Sequence, residues 1–567
     1  MTISVAQLVA GTAIAWLLRP IVRFSLEKSL LDNIPGPPSR SVLIGNFLAL
    51  FDPQGWDFHA FIAQSYGGVA RIDGPLKYKI LYLSDPLAVY HVLVKDQPIY
   101  ERSSTDLIVG RVMFGEGLLS IGSGNQHRKQ RKMLNPVFNV VHLRQIAPIF
   151  YTLRAALTSK VIEGPAELEI MHWMTRCAVE LMGQGGLGYS FDNLTDNPED
   201  AVHPYSSGVR EMQPLIMQLS LAFKFILPWA SKIGTPRFQR AVIDRVPWTS
   251  LHEFRDVVDV MDSTTREIYQ EKKRMLDSED DGFSKGNGKD VISILMEANS
   301  HAEEEDRLSE AEVLGQVPIQ SSHFLDFTEP SNIWADVCST LIFAAVETTS
   351  SALARILQLL AQNPDIQDRV RTELVEAQRI NAGEDLPYDT LMQLPFLEAV
   401  CRETLRLYPP SPLITRTTTV DVVLPLARPI RGVNGAELHA LHVPCNTDIM
   451  ISIHAANRDP RVWGADAAEW KPDRWLAPQP ASVIDAHVPG VYQHLMTFSA
   501  GPRACIGFKF AQLEMKLVLS VLLTAFKVSP SPRNSDVVWD FGFVVSPKTR
   551  GGKDTKLPLV LTLVKPT

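Results

Sequence analysis

The chain has 567 residues, 45% of them hydrophobic, with a formal net charge of −8 and a pI near 6.0. This length supports a large buried core, and the mild acidity argues against a general nucleic-acid binder, which carries a basic surplus. Five cysteines (Cys177, Cys338, Cys401, Cys445, Cys505) are an odd number without close pairs, so neither zinc-type spacing nor a disulfide framework is suggested.

The first element is "ISVAQLVAGTAIAWLL" (Ile3–Leu18), an uncharged apolar run followed by Arg19, Arg23 and Lys28. A cleaved signal peptide carries its positive charge before the apolar run, whereas here it follows. The pattern predicts an uncleaved single-pass membrane anchor over 1–22, with the rest of the chain in the cytosol. The plainer alternative is a core helix, since the run is marginally short of the about 20 residues of a span. Residues 23–40 are basic and then proline-rich ("IPGPPSR", Ile34–Arg40), which predicts a stiff hinge. The remainder, 41–567, reads as one catalytic-size domain. "VARIDGPLKYKILYLSD" predicts two strands about a turn at Asp73-Gly74-Pro75. Helical periodicity dominates from about 125 to 415, and strand-like stretches return near 420–455 and 536–565. The fold class expected is mainly α with small β-sheets, preceded by the anchor helix.

Several stretches receive plain readings. Gly183, Gly185 and Gly188 spell GxGxxG, but they follow a helix-like stretch rather than a strand, and so read as a helix-end turn. Asn193-Leu194-Thr195 is a glycosylation sequon that a cytosolic domain would not use. Asp277–Asp290 is polar and glycine-rich, a surface loop. Val317–Val337 is less ordinary: with two prolines it interrupts a helix whose capping box starts at Ser309 and Glu312. Removing it restores one apolar stripe through Val313, Leu314, Cys338, Leu341, Ile342 and Ala345. It is either a surface excursion or, the reading favoured here, a short intron left unspliced in the gene prediction, which transcript sequencing would decide.

The chemistry-bearing residues follow. Thr340–Pro364 is an apolar helix broken by Glu347-Thr348-Thr349. A threonine in such a place often bonds back to its own helix, but an acid beside an alcohol can also relay protons. Glu403 and Arg406 stand at i, i+3 in "FLEAVCRETLRLYPP", on one helical face among apolar neighbours. A buried pair of this kind needs further partners. Near the C-terminal end lies "FSAGPRACIGFKF" (Phe498–Phe510). Gly501 and Gly507 permit close backbone approach, Phe498 shields the Cys505 sulfur, and Arg503 offers a bidentate grip on a carboxylate. The helix starting after Gly507 favours negative charge on that sulfur. A heme has matching needs: an iron seeking an axial ligand and propionates seeking arginines.

Phe498, Gly501, Arg503, Cys505 and Gly507 form FxxGxRxCxG, which resembles the heme-thiolate signature of the cytochrome P-450 superfamily. The resemblance extends in family order through the anchor, proline hinge, Ala344–Thr349, Glu403–Arg406, "WKPDRW" and the cysteine loop. It is strongest with fungal microsomal members. It implies heme b held by Cys505 as metal ligand, with Phe498 and Gly501 shaping the loop. Arg503, Arg416 (after "PPSPLIT"), Arg131 and His127 become partners of the heme. His127 stands where the family's WxxxR pattern has tryptophan. Thr348 and Glu347 become catalytic proton carriers, in a motif with Ala345 in place of a glycine. Arg474 completes a structural triad with Glu403 and Arg406. Arg128, Lys129 and Lys132 are either a solvated basic face or a docking patch for an acidic reductase. Phe343, Ala344, Leu413, Ile414, Phe543 and Val544 are the pocket walls by family position. The activity implied is insertion of one oxygen atom from O2 into a lipophilic small molecule, with terpenoids or other secondary metabolites as the guess. Electrons would come from an NADPH-cytochrome reductase at the endoplasmic reticulum membrane. A peroxide-using or rearranging heme-thiolate enzyme, and a heme carrier without turnover, remain open alternatives.

Overall fold

The computed structural model describes residues 29–115, 117–138, 144, 157–187, 189–191, 194, 203–277, 333–533, 536–552 and 554–564. The expected anchor, most of the acidic loop, Asn193 and Thr195 of the sequon, and 317–332 lie outside the described residues.

The helices that position the site are α1 (Trp56–Tyr66), α2 (Ser104–Phe114), α3 (Asn125–Leu134), α4 (Ile170–Leu181), α5 (Pro204–Phe225), α6 (Pro236–Arg245), α7 (Thr249–Asp277), α8 (Ile333–Gln362), α9 (Pro364–Ile380), α10 (Pro395–Leu407) and α11 (Phe508–Ala525). The described part of α8 opens with Ile333, so the last five residues of the stretch read as an interruption, 333–337, are helical. The segment Thr340–Gln362 is long and apolar enough to cross a membrane, yet 78% of its most apolar window is buried inside the molecule. It is the central core helix, with α4, α10 and α11 contributing to the same apolar cluster. The glycine-rich stretch after α4 forms a π-helical turn over Met182–Leu187, consistent with a helix end rather than a dinucleotide loop.

The sheets are small. Strands β1 (Val69–Asp73) and β2 (Lys79–Leu83) pair antiparallel about the expected turn. With β3 (Tyr100–Glu101), β5 (Leu413–Thr418) and β8 (Asp448–Ser452) they make a five-stranded sheet of order β1-β2-β8-β5-β3. Strand β4 (Ala166–Glu169) joins β12 (Pro558–Leu563) and β9 (Phe526–Pro530). Strands β6 (Val422–Arg431) and β7 (Glu437–Val443) form a hairpin, as do β10 (Val537–Asp540) and β11 (Ser546–Thr549).

The Glu403–Arg406 pair is fully buried, with both side chains at 0% exposure. Arg406 Nε and Nη2 each donate to the carboxylate at 2.8 Å, and its Nη1 donates to the carbonyls of Asn457 and Ala467. Glu403 also accepts from the Lys471 amide, Trp475 Nε1 and, at 3.4 Å, Arg474 Nε. Such satisfaction is what a buried ion pair requires. It has a structural consequence, because Asn457 in turn accepts from the Met496 amide and donates to the Thr497 hydroxyl, and Thr497 donates to the Leu405 carbonyl. The network thus runs from α10 to the residue before Phe498 and fixes where the cysteine loop begins.

Candidate active site

The loop holding Cys505 is tightly specified. Gly501 has φ +67°, and a Cβ there would lie 2.0 Å from the Leu93 carbonyl oxygen, so only glycine fits. The Cys505 amide donates to the Phe498 carbonyl at 2.9 Å, folding the loop back on itself. Phe498 packs against Tyr492 and Phe508, with ring centroids 5.5 and 6.1 Å away. Cys505 keeps accessible surface. Burial nevertheless raises its thiol above the ordinary cysteine value, while the Gly507 amide and Arg131 pull it back. Both facts fit a sulfur crowded by protein atoms yet open to a ligand, in a shallow recess.

Around it the fold collects cations from four parts of the chain. Arg131 on α3 donates to the Ala504 carbonyl at 2.6 Å. Arg503 donates to the Ile121 carbonyl and the Ser123 hydroxyl, and pairs with Glu101 at 3.4 Å. Arg416 on β5 is buried, donates through Nη1 to the Thr415 carbonyl, and has a buried Nε without a partner. Burial lowers Arg416 and Arg503 to about 10 each, with neighbouring guanidinium groups adding to the effect, so both stay charged near neutrality. His127 is buried and lowered to about 4, first by burial and then by Arg503 and Arg131, and is therefore a neutral ring able to donate one N–H.

Arg102 is the residue that sequence reasoning missed. It donates to the Leu119 carbonyl, and its charge acts on both His127 and Arg416. Its local setting, an acid–base dipeptide before the Ser103-capped helix α2, looks like any surface ion pair. Only strand register reveals it: Glu101 pairs with Thr417, which brings residues 101–102 beside Arg416. Arg102, Arg131, Arg416 and Arg503 outnumber the carboxylates among them, Glu101 and Asp106. A crowded set of cations, with Arg416 buried and its Nε unpartnered, calls for an anionic guest. A cysteine sulfur on a recess floor, flanked by such cations, suits the iron and propionates of heme. The residues present fit the group.

A second set lies on α8. Glu347 is 5% exposed, its Oε1 has no partner, and burial pushes its carboxyl up to about 7, with Arg210 pulling it back. Thr348 donates to the Ala344 carbonyl at 2.7 Å, the back-bond expected of an ordinary helical threonine. That bond consumes its hydrogen and leaves its oxygen able to accept. Among the wall residues, Phe343 and Val544 are buried, Ala344, Leu413 and Ile414 are half-buried, and Phe543 is exposed. Phe343 meets the ring of Phe114 from α2 at 4.9 Å.

The family model for cytochrome P-450 matches residues 35–320 and 332–551, leaving 321–331 between its two segments. Cytochrome P-450 monooxygenase 91 of Postia placenta is 44% identical over 571 residues, covering 100% of both chains. A ganoderic acid synthetase of Ganoderma lucidum is 38% identical over 98% of this chain and 97% of its own. A monooxygenase of Hericium erinaceus is 35% identical over 94% of each. The cysteine recess, its cations and these full-length similarities lead to one conclusion: the chain belongs to the cytochrome P-450 family, the heme-thiolate monooxygenases.

Proposed function

We propose that this enzyme inserts one atom of O2 into a lipophilic small molecule of terpenoid type, the other atom leaving as water with the electron pair of NADPH delivered by a cytochrome reductase. The observation that carries the proton chemistry is Glu347, a buried carboxyl poised near neutrality beside Thr348. Heme bound through cysteine sulfur supplies the dioxygen chemistry. Cys505 is assigned as that ligand, and His127, Arg102, Arg131, Arg416 and Arg503 as the groups holding the propionates. Glu347 is the group assigned to hold a proton at its carboxyl, with the charge of Arg210 acting on it. The Thr348 hydroxyl donates its hydrogen to the Ala344 carbonyl, which leaves its oxygen able to accept a hydrogen bond beside Glu347. Phe114, Phe343 and Val544 keep the chamber apolar. The terpenoid reading is supported by the relative named for ganoderic acid.

Membrane residence is part of the same proposal, at the endoplasmic reticulum with a single N-terminal anchor. It is supported by Ile226, Trp229 and Phe238, which are 57%, 64% and 53% exposed around the α5–α6 connection. Leu43 and Leu48 form a second exposed apolar group, and the two are bridged where Lys224 lies over the Tyr78 ring and the Leu76 amide meets the Leu43 carbonyl. The reaction is tested with isotopically labelled dioxygen and reductase-containing membranes. One labelled atom in the product, with NADPH consumption that depends on substrate, is expected. Oxidation that runs on peroxide and ignores NADPH would favour the alternative enzyme class.

A further inference from the structure

Gln213 on α5 is 5% exposed, and its two polar atoms have opposite fates. Nε2 donates to the Val544 carbonyl at 3.2 Å, whereas Oε1 is buried with no partner. The orientation is not arbitrary: a carbonyl only accepts, so Val544 selects the NH2 end and turns the oxygen the other way. The neighbourhood is shaped to allow this. A Cβ on Gly542 would lie 2.6 Å from Gln213 Nε2, so glycine there lets the amide approach.

Val544 is one of the residues expected to wall the reaction chamber, and Ser351 of α8 donates to the adjoining Val545 carbonyl at 2.6 Å. Arg210, one turn before Gln213 on α5, is close enough to act on Glu347. Gln213 therefore stands beside both the C-terminal wall and the proton-carrying stretch of α8. An acceptor fixed by its own NH2 group, dry and unpaired, is suited to a donor that arrives with the ligand.

We infer that Gln213 Oε1 is a specificity-determining acceptor for a hydroxyl of the substrate, so that the enzyme takes a lipophilic alcohol in preference to the corresponding hydrocarbon. This rests on the reading of the site as one for lipophilic substrates. A chamber that hydrogen-bonds a ligand hydroxyl rejects the analogue lacking it, because the buried acceptor is then left unpaired.

The test uses the heme-loaded full chain and substrate-binding difference spectra, a readout independent of turnover. The probes are matched pairs: dodecanol with dodecane, cedrol with cedrane, and cholestanol with cholestane. In the wild-type protein at least one alcohol should bind about tenfold or more tightly than its hydrocarbon. Gln213→Met, which keeps the size and removes both polar atoms, should bring that pair within about twofold. Gln213→Glu should retain the preference, since a neutral carboxyl donates to Val544 and still presents a carbonyl. Gly542→Ala, which crowds Nε2 without altering Gln213, should weaken it and repeats the test if the Met variant does not load heme. An alcohol preference that survives in Gln213→Met overturns the assignment. Equal binding of both members of every pair overturns it as well, while leaving the lipophilic chamber standing. No spectral shift with any probe overturns both readings.

Discussion

Among the buried acids of this molecule, Glu403 and Glu347 make an instructive contrast. Glu403 has no exposed surface and accepts from Arg406, the Lys471 amide, Arg474 and Trp475. Glu347 is almost as buried, but one of its oxygens meets no donor and its carboxyl is pushed up to about 7. The first is an architectural acid whose every neighbour pins the chain, ultimately the cysteine loop. The second is left incompletely solvated by protein, which is the condition for a group that must gain and lose protons. Substitutions at the two positions should therefore fail in different ways.

The largest effect belongs to the architectural side. Arg406→Leu strands a carboxylate in the core and should cost about 3–5 kcal/mol. Thermal unfolding and the yield of heme-loaded protein measure this, and an unchanged melting point would break the comparison. Glu347→Gln should instead leave the fold and heme loading intact while lowering turnover by about a hundredfold. Stopped-flow and steady-state rates on the same preparation separate the two outcomes.

The pH dependence sharpens the distinction. The folded-state value of Glu347 is raised from 4.5 to about 7, so the folded protein holds a proton that the unfolded chain has released. The stability this gives is full below about 4.5 and is lost as pH rises through about 7, a change on the order of 3 kcal/mol at most. Glu347→Gln should lack that loss and gain stability relative to wild type between pH 5.5 and 8, as denaturant titrations at the two pH values would reveal. The pH–rate profile should fall above about 7 in the wild type only.

Smaller effects follow at the periphery. Arg102→Leu should speed heme transfer to an excess of apomyoglobin by about tenfold, since it removes one charge-assisted contact worth about 1.5–3 kcal/mol at most. An unchanged rate would remove Arg102 from the heme-holding set. Smallest of all, Trp229→Phe should lose part of the tryptophan quenching given by brominated lipids, with activity in detergent unaltered. Identical quenching in the two proteins would contradict the membrane-facing assignment of the α5–α6 connection.

Local patterns revealed more of the architectural acid than of the catalytic surroundings. Glu403 and Arg406 are three residues apart, and the cysteine loop is contiguous, so periodicity and composition suffice to see them. The turn between β1 and β2 was equally plain from Asp73-Gly74-Pro75. Arg102, Arg210 and Gln213 carry no such mark. Each looks like an ordinary polar residue on a helix or at a strand end, and gains meaning only through tertiary register: Glu101 against Thr417, or α5 against the segment at Val544. The bland reading of Thr348 also has its place, since it does bond back to Ala344. The described part of α8 opens with Ile333, so the boundary drawn at Val337 from the apolar stripe falls within a helix. A stripe fixes which face is buried but not how far a helix extends.

The central claim is that Cys505 holds heme as a thiolate. Its most direct test is the carbon monoxide difference spectrum of the reduced full-length protein in membranes, beside Cys505→Ser prepared in parallel. The wild type should give the red-shifted band of thiolate ligation and the variant should not. The same band in Cys505→Ser, or its absence from wild-type protein that has bound heme, would contradict the account.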